Sequence, residues 1–153
     1  MKHLFSVVAI LGFMLVSCED PCTSTVCLNG GVCSDGDCLC PEGFSGEECE
    51  REARFDFIGN YISNTDCMAY ESYVRIRRDD TKGTRVTIDN LLDTGVSVSG
   101  TVVNNQVTIQ NQSWFDGTVE GFASSNNGLL TINVLFTDAS GIQTNCLISG
   151  TKE

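Results

Sequence analysis

From Arg51 onward the chain alternates. Val74 and Ile76 oppose Arg75 and Arg77, and Val86 and Ile88 oppose Arg85, Thr87 and Asp89. Val107 and Ile109 oppose Thr108 and Gln110, while Leu130, Ile132, Val134 and Phe136 oppose Thr131 and Asn133. A period of two with one apolar and one polar face marks an antiparallel sheet, dry on one side and wet on the other. Reversal signals separate the runs: Asn104-Asn105, Ser125-Asn126-Asn127-Gly128 and Asp138-Ala139-Ser140-Gly141. The pattern predicts about eight strands, over 55–63, 69–78, 84–90, 95–103, 106–112, 114–123, 128–137 and 142–149, with no amphipathic helix among them. Short connections imply a meander, and closing it into an antiparallel up-and-down barrel removes the exposed edges. A β-sandwich is the alternative. It is disfavoured because Trp114 stands 47 residues after Cys67, too far for an immunoglobulin-type core.

The beginning of the chain follows another pattern. Met1-Lys2-His3 is a basic start, and Leu4 to Val16 is an apolar run broken only by Ser6 and Gly12. Thirteen residues are too few to span a bilayer, which takes about 20, and fit the apolar region of an export signal. The run ends in Leu15-Val16-Ser17-Cys18, which resembles the lipobox of bacterial lipoproteins. The resemblance implies a signal over 1–17, lipidation of Cys18, and residues 18–21 as a lipidated N-terminus. It also implies a lipid-anchored place in the bacterial cell envelope, at the outer membrane or cell surface. Two or more acyl chains anchor firmly where one holds only marginally.

Nine cysteines is an odd number, and lipidation of Cys18 accounts for one. Cys22, Cys27, Cys33, Cys38, Cys40 and Cys49 lie within 28 residues, whereas Cys67 and Cys146 stand 79 positions apart. Eight thiols in an exported chain imply an oxidising compartment. Zinc is a poor reading, since Cys-x2-Cys pairs are absent. Asn29-Gly30-Gly31 stands between the second and third cysteines of the cluster, and Gly43-Phe44-Ser45-Gly46 between the fifth and sixth. With this spacing, residues 22–50 resemble the epidermal-growth-factor-like module. The resemblance implies the pairs Cys22–Cys33, Cys27–Cys38 and Cys40–Cys49; spacing alone leaves fifteen connectivities open. So short a stretch cannot bury enough apolar area to fold alone, and cross-links replace the core. The calcium-binding members of that family carry an acidic run and an aromatic residue. Glu19-Asp20 and Asp35/Asp37 match this only in part, so Asp35 and Asp37 read as a solvated turn.

The two remaining cysteines pair with each other across residues 51–153, bringing the ends of the β-domain together. Within that domain Phe57-Ile58-Gly59-Asn60-Tyr61 resembles the Gly-x-aromatic opening of lipocalin-like barrels, including the small ones of bacterial lipoproteins. That resemblance implies either surface recognition or carriage of a small apolar ligand in the lumen.

Charge and composition narrow the chemistry. The net charge of −11 makes nucleic acid a poor partner. Removing 1–17 takes away the only histidine and leaves 8 basic against 20 acidic side chains. Triads, imidazole bases and His-ligated zinc are then impossible. Asp116 and Glu120, alternating with Trp114 and Thr118, form a possible glycosidase pair, but polar residues on a wet strand face explain them better. Arg75, Arg77, Arg78 and Arg85 could clamp an anion, or pair with Asp79, Asp80 and Asp89; pairing is the better reading. Asn111-Gln112-Ser113 fits the N-glycosylation pattern, which means little in the bacterial chain that the lipobox resemblance implies. The expectation is a non-enzyme without catalytic residue, metal or cofactor. It is a membrane-anchored binding or adhesion protein, its partner a protein or glycan, with the cysteine-rich module as spacer or contact unit.

Overall fold

The computed structural model describes residues 21–79 and 83–153; the export signal, Cys18 and Asp80 lie outside them. The cysteine-rich segment holds two small hairpins. β1 (Val32–Ser34) pairs with β2 (Asp37–Leu39), and β3 (Phe44–Ser45) with β4 (Arg51–Glu52). Disulfides join Cys22 to Cys33, Cys27 to Cys38 and Cys40 to Cys49. Asp35 occupies the β1–β2 turn in a left-handed backbone conformation, exposed to solvent.

The remaining strands are β5 (Gly59–Thr65), β6 (Ser72–Arg78), β7 (Arg85–Asp89), β8 (Val98–Val103), β9 (Gln106–Trp114), β10 (Gly117–Asn126), β11 (Leu129–Thr137) and β12 (Gln143–Lys152). Each pairs antiparallel with the next. β12 returns to β5, from Ile148 opposite Thr65 to Lys152 opposite Tyr61, and closes an eight-stranded up-and-down barrel. A disulfide between Cys67, just past β5, and Cys146 in β12 ties the same seam. The Asn104-Asn105 turn has both residues at positive φ, as a two-residue hairpin requires.

Two strand boundaries differ instructively from the sequence pattern. The first strand begins at Gly59 rather than 55, because Phe55 N–H bonds Glu52 O and Phe57 N–H bonds Arg54 O, coiling the segment into turns. That coil drives Phe57 into the core at one end of the barrel. The expected strand 114–123 is divided by a hairpin at Phe115-Asp116. A turn of two residues preserves the period-two rhythm, so the alternation runs through it unmarked.

The inward residues fill the lumen. Tyr61, Val74, Ile76, Val86, Ile88, Ile109, Leu130, Ile132 and Ile148 are all fully buried, and Leu91 closes the end opposite Phe57. Ser63 and Ser72, facing each other on β5 and β6, satisfy their hydroxyls mutually and on Ser72 O. The Tyr61 hydroxyl donates to Phe57 O at 2.8 Å, and burial raises its pKa above the usual 10.0, keeping it a neutral donor. Eight strands give an interior just wide enough for side chains. The expectation of a lumen that carries an apolar ligand is thereby corrected: branched aliphatic side chains occupy that space.

The module is seated on the barrel. Gly43 and Phe44 press against Gly83 and Thr84 so closely that a Cβ on Gly83 would lie 2.9 Å from the Phe44 ring. Ala53 N–H donates to Gly43 O at 2.8 Å. Arg54, only 6 % exposed, donates to the carbonyls of Asp79 and Arg85, where β6 and β7 diverge, and to Glu52 at 2.8 Å. Glu52 also receives Arg78 at 3.0 Å. The Arg54 hydrogen bond is the main cause that holds the Glu52 carboxyl below its ordinary 4.5; partial burial opposes it, and Arg78 adds to the lowering.

Two outcomes follow. Replacing Cys67 and Cys146 together by alanine removes a cross-link over 79 positions and costs about 4–5 kcal/mol in the chain-entropy model, read as a lower urea midpoint. An unchanged midpoint would show that strand pairing alone sets the closure. Glu52→Gln leaves the buried Arg54 guanidinium without its anion and costs about 1–3 kcal/mol at neutral pH. Because the folded-state carboxyl titrates below the unfolded one, that stabilisation is complete above about 4.5 and drains away as pH falls through the folded-state value. The Tm gap between the two proteins therefore narrows on acidification; a gap that widens contradicts the junction role.

Candidate functional site

With the lumen filled, surfaces remain. The four arginines of the sequence pattern gather on β6 and β7, and carboxylates meet most of them. Arg77 pairs with Asp89 at 2.7 Å and Arg85 with Asp79 at 3.2 Å. Arg78 takes Glu52 instead, and Arg75 stands opposite Asp89 in the β6–β7 ladder. Burial works against ionisation of Asp89, yet the hydrogen bonds from Arg77 and Ser97 outweigh it and hold the carboxyl below its usual range. Three of the four guanidinium groups are thus engaged in ion pairs, and the set is structural rather than an anion clamp.

Asp116 and Glu120 part company. Asp116 sits in the β9–β10 turn, while Glu120 faces outward on β10 and accepts Asn111 Nδ2 at 3.3 Å. The proposed alternation of Trp114, Asp116, Thr118 and Glu120 along one strand face is therefore corrected by the hairpin. Asp66, Cys67 and Cys146 bring a carboxylate and two sulfurs within 4.8 Å. The sulfurs are bonded to each other, and Asp66 Oδ1 accepts Leu147 N–H at 2.8 Å, so the group locks the β5–β12 seam.

One hollow spans module and barrel. It measures about 440 Å3 and is lined by Glu42 of the module, by Thr84, Arg85 and Thr101, and by Gln110 and Gln112. Its floor exists because the β8–β9 ladder runs only from Val103↔Gln106 to Thr101↔Thr108. Beyond that, β9 bulges between the positions opposite Val119 and Gly121, and the strands separate. The Gln112 side chain bridges the gap as a substitute peptide group, accepting Ser99 N–H at 2.9 Å and donating to Ser99 O at 2.8 Å. A hydroxyl- and amide-lined hollow of this kind offers hydrogen bonds to a polar partner and no enclosed apolar cavity.

Sequence reasoning missed Arg54, Glu52 and Gln112. The first two gave little signal, because Glu50, Arg51 and Asp56 crowd the same stretch with charge. Gln112 gave none, because its role arises from the bulge.

Comparison with known proteins bears on the module alone. No protein-family model matches the chain, and no solved structure matches it. Human hepatocyte growth factor activator serine protease is 46 % identical over 43 residues, which cover 24 % of this chain and 7 % of that protein. Mouse lactadherin is 50 % identical over 40 residues, 23 % of this chain and 9 % of its own length. The chain thus spans less than a tenth of either relative. Both carry epidermal-growth-factor-like domains, and together with the three clustered disulfides the likeness fits a module of that kind ahead of the barrel.

Proposed function

We propose that the chain is a bacterial cell-envelope lipoprotein, held through acylated Cys18, that binds a macromolecular partner on its outer surface without catalysis. The packed barrel interior carries this reading: with Tyr61, Ile88, Leu130 and Ile132 buried in the lumen, recognition falls to the exterior and the loops. The Leu15-Val16-Ser17-Cys18 pattern behind a basic start and an apolar run supports the anchor. Between the anchor and the barrel, the cross-linked module serves as a stiff spacer, because three disulfides and the Arg54 junction leave little play. The mature chain would have no histidine, and its carboxylates are scattered or paired with arginine, which supports a binding rather than a hydrolytic role.

Fractionation tests the anchor. The native chain is expected in the membrane pellet and Cys18→Ala in the soluble fraction, with a mass difference on the mature N-terminal peptide equal to the acyl groups. An unmodified Cys18, or an alanine variant that still pellets, would overturn the anchored reading.

A further inference from the structure

We propose that the end of the barrel farthest from the module is a protein-docking surface for a basic partner that presents apolar side chains. This deepens the binding role proposed above and rests on it. In an antiparallel meander alternate connections share one end, so 66–71, 90–97, Phe115-Asp116 and 138–142 ring the same mouth, while the module enters through 53–58 at the other. Three large apolar side chains stand open there: Phe115 at 65 % exposure, Ile142 at 65 % and Tyr70 at 58 %.

Phe115 is costly where it stands. Its φ is 51°, a left-handed conformation that bulky residues avoid; the hairpin turns at Asn104-Asn105 and Asn127-Gly128 fill theirs with asparagine and glycine, although Leu92 shares it in the β7–β8 connection. Its ring meets the edge of Trp114 at 4.7 Å, and Trp114 rests on Phe136 at 4.3 Å, so an exposed aromatic is propped from below. Trp114 Nε1 is buried and finds no acceptor among the described residues. A Cβ on Gly117 would fall 2.0 Å from Thr137 O and 2.9 Å from Asp138 Cα; the Phe115 turn therefore lies against the turn that carries Ile142, and the two form one patch.

Charge decides the occupant. These four connections hold Asp66, Glu71, Asp93, Asp116 and Asp138, all exposed, with no lysine or arginine among them. The Asp66 carboxylate also accepts Leu147 N–H across the seam, Asp138 caps its own turn and Asp93 accepts Asn90, whereas Glu71 and Asp116 meet no partner among the described residues. A second copy would set like charge against like, and anionic lipid or nucleic acid would be repelled. A basic protein surface gains steering from the acidic rim and burial from Phe115, Ile142 and Tyr70.

Trp114, the sole tryptophan, lies under the patch and reports its occupancy. The full chain and its Cys18→Ala variant are titrated with an amphipathic Leu/Lys peptide, its Leu/Glu counterpart and oligolysine, following tryptophan emission at low and physiological salt. Both forms of the chain should show a saturable shift with the Leu/Lys peptide alone, weakening as salt rises. Phe115→Asn should weaken binding by about tenfold or more while its Tm stays equal or rises, since asparagine suits the left-handed turn. Glu71→Gln with Asp116→Asn should flatten the salt dependence. Equal response to the Leu/Glu peptide, absence of response to the Leu/Lys peptide, or undiminished binding by Phe115→Asn would overturn the proposal. The titration is independent of lipidation, so loss of the anchored reading leaves the docking surface standing, and the reverse.

Discussion

The pairing of β12 with β5 is the constraint on which the rest depends. Once the last strand hydrogen-bonds the first, the sheet has no free edge, and every inward side chain must share one narrow lumen. Eight strands leave room for Val, Ile and Leu to meet across the axis and little more. Phe57 then closes one end and Leu91 the other. Filling the interior removes the use to which wider barrels of this topology put their space, which is why the proposed recognition falls to the outer face and the loops. The Cys67–Cys146 bond and the Asp66 carboxylate on Leu147 N–H both reinforce that seam, where the chain-entropy cost of closure is greatest.

How much of this could be read beforehand depended on the range of the interaction. Alternation in β6, β7, β9 and β11 was legible because each strand has one dry face, and period two is a local property. The closed antiparallel barrel followed from short connections and the need to hide edges. The Phe115-Asp116 hairpin was not legible, because a two-residue turn keeps the rhythm and the Asp-Gly step at 116–117 was the only mark. Arg54 lies deeper still: its carbonyl partners are 25 and 31 residues away, and nothing near it in the chain names them. Gln112 acquires its role from a bulge that displaces β9, a consequence of fitting neighbouring strands rather than of its own neighbours. The same holds for the candidate surfaces. Acidic loops were visible in composition, but their gathering at one mouth is a product of topology.

The molecule is electrically two-ended. Arg51, Arg54, Arg78 and Arg85 cluster where module and barrel meet, and four of the described ion pairs, Arg51–Asp56, Arg54–Glu52, Arg78–Glu52 and Arg85–Asp79, lie there. Those cations are consumed in holding the two parts together. Among the described residues, Asp66, Glu71, Asp93, Asp116 and Asp138 at the opposite mouth form no ion pair. Net charge opposes self-association, and its segregation does more than a uniform excess would, since it gives the surface a direction.

Direction matters only if the parts cannot swivel. A module of this size has almost no apolar core, so disulfides hold its shape, and a loose hinge to the barrel would let the acidic mouth point anywhere. Arg54 prevents that. Its guanidinium, buried at the junction, satisfies two carbonyls of the barrel and the Glu52 carboxylate of β4, the strand that pairs with β3 of the module, and moving the module would strand all three. Held in this way, the acidic mouth keeps one direction relative to the module, which is what the proposed docking face at that end requires of the junction.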